Sequence, residues 1–113
     1  MADSFKKLVD GVNPVATTLT EWFSVPTGHE YQGYVRVAHV GSSGSGTTSF
    51  RLAGVSGTGI TPGAEDYELY NTELCEGDLY DITMDLTELE TLIVYADSAN
   101  VSFNYRGLDI DNA

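Results

Sequence analysis

Thr91-Leu92-Ile93-Val94-Tyr95-Ala96-Asp97-Ser98-Ala99-Asn100-Val101-Ser102-Phe103-Asn104-Tyr105 decides the fold class of this chain. Two β-rich runs flank a polar cluster, Asp97 to Asn100. In the first run Leu92, Val94 and Ala96 fall on one face and Ile93 and Tyr95 on the other, so the run is apolar on both sides. A strand of that kind is covered from both faces and belongs at the centre of a sheet. In the second run Val101, Phe103 and Tyr105 alternate with Ser102, Asn104 and Arg106, one face for a core and one for solvent. Period-two runs around a turn-forming cluster predict a β-hairpin of an antiparallel sheet. No catalytic group sits on it.

The same alternation extends toward the N-terminus. A first strand is predicted over 18–25 and is closed by Pro26-Thr27-Gly28. A second over 31–40 sets Val35 and Val37 against Tyr34, Arg36, Ala38 and Val40. A third over 47–55 turns Phe50 and Leu52 one way. A fourth lies around Tyr67 to Tyr70 and a fifth over 79–86, while Leu108 and Ile110 extend the last strand. Gly41 to Gly46 reads as a mobile hairpin loop, and 56–63 breaks regular structure. No stretch shows a helical period. This spacing predicts an all-β antiparallel β-sandwich, jelly-roll or immunoglobulin-like, of about seven to eight short strands. Phe23, Val25, Val35, Val37, Phe50, Leu52, Val94, Val101 and Phe103 are the expected core. Residues 18–113 form the sandwich domain, preceded by an N-terminal arm, 1–17.

The chain has 113 residues, enough for one ordinary two-layer domain. Its five basic residues stand against 17 carboxylates, a formal net charge of −12. Such a surface repels nucleic acid and anionic lipid, so neither is an expected partner. Acidity serves solubility, or suits a salty habitat in which counterions screen self-repulsion. The N-terminus lacks the apolar run of a signal peptide, which predicts synthesis in the cytoplasm.

The residues that could carry chemistry do not converge in sequence. Cys75 is the sole cysteine and reads as a packed small side chain rather than a nucleophile. His29 and His39 lack partners at metal-ligand spacing and read as surface or packing residues. Ten carboxylates between Glu65 and Glu90 suit a solvated sheet face better than a catalytic pair. A calcium site from Asp97, Asn100, Asp109 and Asp111 is chemically possible but has no supporting spacing. Neither an enzyme nor a cofactor or metal is expected.

Three stretches carry a resemblance: Leu8 to Gly28 with its Val25-Pro26-Thr27-Gly28 turn, Ser49-Phe50-Arg51-Leu52-Ala53, and Ile93 to Ile110. In this order the chain resembles small all-β virion structural proteins of tailed viruses of bacteria and archaea. The resemblance implies a virion subunit made in the host cytoplasm, foremost one that decorates the capsid head. Its partners would be other virion proteins (the major capsid protein, or tail and neck subunits) and copies of itself in a homo-oligomer. The alternative is a tail, neck or fibre module that binds a host-surface carbohydrate.

Two residue sets follow from the sequence. Phe5, Lys6, Lys7, Leu8, Val9 and Val12 join the most apolar part of the arm to the only lysines, a candidate partner contact; the competing reading makes residues 5–12 an edge strand of their own domain. Trp22, Tyr31, Tyr67 and Tyr70 are candidates for stacking on a sugar, against a competing role in sheet packing.

Overall fold

A computed structural model describes residues 6–111. Its strands are β1 (Lys6–Lys7), β2 (Thr20–Ser24), β3 (His29–His39), β4 (Thr48–Ser56), β5 (Tyr67–Leu74), β6 (Leu79–Thr83), β7 (Glu90–Ala96) and β8 (Val101–Asp111), with one 3-10 turn at Ala64–Asp66. They form two four-stranded antiparallel sheets, ordered β1-β8-β3-β6 and β2-β7-β4-β5. The pairs are nested: β4 with β5, β3 with β6, β2 with β7, β1 with β8. The chain is therefore one long hairpin, its apex between β4 and β5, rolled until β8 meets β3 and β7 meets β4. That is the jelly roll, one of the two sandwich types the sequence predicts.

Alternation places the core between the sheets. Val35, Val37, Phe50, Leu52, Val94, Val101 and Phe103 are fully buried, as is Val25, while Phe23 packs against them from the margin. In β2 the pairing slips between Glu21 and Phe23, so Trp22 is an extra, bulged residue. The slip breaks the period of two and lets Trp22 and Phe23 both turn toward the core. The Tyr105 hydroxyl donates to the Met84 carbonyl at 2.7 Å, which satisfies the one polar atom of a buried ring. Gly33 and Gly107 face each other in register. A Cβ on Gly33 would strike the Arg106 carbonyl and one on Gly107 the Gln32 carbonyl, so this close backbone approach requires glycine.

Two predicted connections differ from the structure. Asp97 to Asn100 does not close a hairpin: β7 and β8 lie in opposite sheets, and the turn crosses between them. A polar cluster specifies only that the chain reverses; here the Asp97 amide bonds the Ser49 carbonyl and Asn100 accepts from the Val40 amide, tying the turn to both layers. The glycine segment 41–46 likewise passes from one sheet to the other, joining β3 to β4. It is anchored by side chains outside it. Glu76 accepts from the Gly44 and Gly46 amides at 2.8 and 2.7 Å, and these bonds hold its carboxyl below the usual range. Buried His39 accepts from the Gly41 amide at Nδ1 and donates from Nε2 to the Gly46 carbonyl, the pattern of the neutral ring.

The segment predicted as an arm is joined to the sandwich from its first described residue. Lys6 and Lys7 pair with Gly107 and Arg106. Val12 and Phe103 exchange both backbone bonds, and the Asn13 side chain donates to the Ala99 and Val101 carbonyls. Leu8, Val9 and Val12 pack on the main core. Of the two readings of residues 5–12, the edge-strand reading holds for 6 and 7. Phe5 lies outside the described residues.

Candidate functional site

The outer face of β2-β7-β4-β5 gathers aromatic side chains in a way its strand pairing explains. Phe50 pairs with Thr72 and Leu52 with Leu69, so two residues of β5, Tyr70 and Asn71, stand opposite Arg51 alone. This bulge puts Asn71 at φ 49°, a left-handed conformation that asparagine accepts more readily than most residues. It also leaves Tyr70 and Asn71 both on the surface. Arg51, paired across the ladder with Tyr95, fills the space between. Its guanidinium lies 4.3 Å from the Tyr70 ring centre and 4.2 Å from that of Tyr95. Its Nε donates to Asn71 Oδ1 at 2.7 Å. Tyr67 meets Tyr70 edge-to-face, ring centres 4.9 Å apart at 82°.

Beside these rings a cleft of about 510 Å³ is lined by Pro62, Ala64, Tyr67, Glu68 and Tyr70. Pro62 also borders a smaller hollow of about 180 Å³ over Ile93, Leu19 and Ile60. The loop between β4 and β5 that forms both is held at its base: Thr91 Oγ1 donates to the Gly57 carbonyl, and the Gly59 amide donates to Glu21. Below it Ala53, Val55 and Ile93 make a small second core, with Tyr67 against them.

The four stacking candidates separate in the structure. Tyr31 is only 7% exposed and packs against Phe23 and Tyr105 inside the sandwich, so it is withdrawn as a ligand contact. Its sequence parity with Val35 and Val37 already pointed inward. Trp22 is half-buried against Phe23 and Phe103, and its Nε1 donates to the Asp10 carbonyl. Tyr67 and Tyr70 alone share a surface. Arg51, Tyr95 and Pro62 were not singled out from sequence. The signal for two of them was parity, since Arg51 opposes Phe50 and Leu52 on its strand and Tyr95 opposes Val94.

Comparison with models of known protein families, with curated proteins and with solved structures finds no match to this chain. What the remaining candidates can do rests on their placement.

Asp97 and Asn100 stand at one end of β8, Asp109 and Asp111 at the other. An extended strand of that length separates them by about 30 Å, so they cannot share a calcium ion. Among the described residues no three His, Cys, Asp or Glu side chains group as metal ligands. Cys75 is exposed rather than packed, with Thr47 Oγ1 3.8 Å from its sulfur. His29 begins β3 and bonds Asp109 Oδ1 at 2.7 Å, a bond that raises its pKa.

Four of the five basic residues lie on one sheet: Lys6, Lys7, Arg36 and Arg106 on β1-β8-β3, with Arg51 on the other. Lys7 and Arg106 are direct cross-strand partners and both are exposed. Opposed residues of an antiparallel pair share a face. Arg36 is engaged by Asp81 through two bonds of 2.9 and 3.0 Å, which depress the aspartate pKa. Leu8, Val9 and Val12 serve their own core, so Lys6 and Lys7 are the arm candidates whose side chains stay exposed.

Proposed function

We propose that the chain is a structural subunit of a tailed-virus particle, foremost a capsid decoration protein, which attaches through the β1 margin of the β1-β8-β3-β6 sheet. Two considerations support the reading: the sequence resemblance to virion structural proteins, and an architecture that recurs in viral capsid and lectin domains. The observation that carries the attachment surface is charge segregation. In a chain of net charge −12, Lys6, Lys7 and Arg106 are exposed together at one margin. A carboxylate-bearing neighbour would be steered to that margin and repelled elsewhere.

The test is to purify particles carrying the tagged protein and locate it by electron microscopy. Regular coverage of the head supports decoration; a few copies at the tail or neck favour the alternative position. Absence from purified particles overturns the proposal. The double variant Lys7→Glu, Arg106→Glu should fold as the parent does yet fail to incorporate. Normal incorporation would move the contact elsewhere.

A further inference from the structure

We infer that the outer face of the β2-β7-β4-β5 sheet carries a binding site for a neutral pyranose glycan, centred on Tyr67 and Tyr70. The site lies on the sheet opposite the basic margin, and the inference holds whether or not the chain belongs to a virus particle. Its cleft, about 510 Å³, falls within the ordinary range of small-ligand pockets. Two tyrosines at 82° make a corner whose walls are aromatic and whose rim carries the Glu68 carboxylate. A sugar ring matches that corner: its C–H face lies on an aromatic ring while hydroxyls at its edge donate to a carboxylate and exchange bonds with phenol groups.

The aromatic wall is preorganised at a cost to the fold. Tyr70 is 57% exposed, yet Arg51 is fixed over its ring by Tyr95 and by the bond to Asn71. The bulge that presents Tyr70 holds Asn71 in a left-handed conformation, and strain of this kind collects at ligand clamps.

The same features select the ligand class. Glu68 at the rim and the net charge of −12 disfavour sialylated or uronic sugars. The bulge interrupts the ladder of edge strand β5, so a peptide adding as a further strand would find no continuous register. Arg51 already occupies space between two rings, which counts against a cationic guest there. Of the sugars, these features favour a neutral pyranose.

The experiment is a nitrogen-15 NMR titration of the full chain. The probes are neutral trisaccharides of glucose, mannose and galactose in α and β linkage, with sialyllactose and trigalacturonate as acidic controls. A single stacked subsite binds in the millimolar range, so each probe is carried to about 20 mM. At least one neutral trisaccharide should shift amides between 62 and 71 and the Arg51 side chain, with preference for α or β linkage naming the glycan type. Tyr70→Ala should weaken that binding roughly tenfold with a melting temperature close to the parent; Tyr67→Ala should weaken it similarly but also lower the melting temperature, because Tyr67 packs on the second core; Tyr34→Ala, on the other sheet, should leave binding unchanged. Tyr70→Phe, which keeps the ring, should retain most of it and guards against a folding defect in the alanine variant. No shift with any neutral probe, equal shifts with the acidic controls, or undiminished binding by Tyr70→Ala would overturn the inference.

Discussion

Replacing Phe103 by alanine tests the packing of the sandwich at its most connected point. The side chain is fully buried on β8 and meets two other rings, Phe50 at 5.9 Å and Trp22 at 6.2 Å. Its backbone anchors Val12, so the neighbouring chain cannot easily collapse into the vacated space. Truncating a buried phenylalanine costs about 3 to 5 kcal/mol, and the loss of two ring contacts with little relaxation places this site at about 4. For a domain of this size that is a fall of roughly 16 °C in melting temperature. Phe103→Leu keeps most of the volume and should cost only about 1 to 1.5 kcal/mol. Urea unfolding followed by tryptophan fluorescence is the natural assay, because Trp22 is the only tryptophan and lies beside the substituted ring. A loss below about 1.5 kcal/mol at an unchanged denaturant slope would refute the tight packing assigned to this residue.

Gly33→Ala should destabilise by about 2 kcal/mol or more, measured by the same unfolding curves, because its new methyl meets backbone rather than a movable side chain. Deleting residues 1–12 uncovers the surface that Leu8, Val9 and Val12 half-cover and should cost on the order of 2 kcal/mol; a truncated domain that melts like the parent would restore the free-arm reading. Burial raises the Tyr105 pKa above that of the unfolded chain, so its contribution is fully present below about pH 10 and is lost as pH rises further. Tyr105→Phe should therefore cost about 1 to 2 kcal/mol near neutrality, by loss of the bond to Met84, and show a shallower decline in unfolding free energy above about pH 10. Added sodium chloride should raise the parent's melting temperature, since the Debye length contracts from about 30 Å at 0.01 M to about 3 Å at 1 M; a flat curve would mean that the carboxylates are already locally compensated.

The strands were legible in the sequence because burial follows parity. Val35 and Val37, Phe50 and Leu52, Val101 and Phe103 announce their faces without any knowledge of partners. The layer a strand joins is a separate matter. Nothing local in Asp97 to Asn100 distinguishes a turn within a sheet from one between sheets, and the outcome depends on β3 and β4, tens of residues away. The N-terminal segment was ambiguous for a related reason: Leu8, Val9 and Val12 follow no strand period, and Val12 meets its partner Phe103 only at the far end of the chain. At the candidate glycan site Tyr67 and Tyr70 were visible as aromatics. Their bracing by Arg51 was hidden, because a bulge shifts the register that would have predicted which residues meet.

The nesting of the strands bears on how the protein is made. Each of β1 to β4 pairs only with strands from β5 to β8, and no two strands of the same half pair with each other among those described. The first half therefore leaves the ribosome with no sheet partner to fold onto. At typical elongation rates of about 5 to 20 residues per second it waits for seconds, with Trp22, Phe23 and Phe50 uncovered, until its complement emerges. The first half is thus committed to wait for the second, and a nascent-chain chaperone would find its longest opportunity near residue 60. The same logic makes the chain divisible. Two fragments cut at the Gly57–Gly59 apex would each be unstructured alone and competent only together, so that assembly of the fold could itself be used to report that two attached molecules have met.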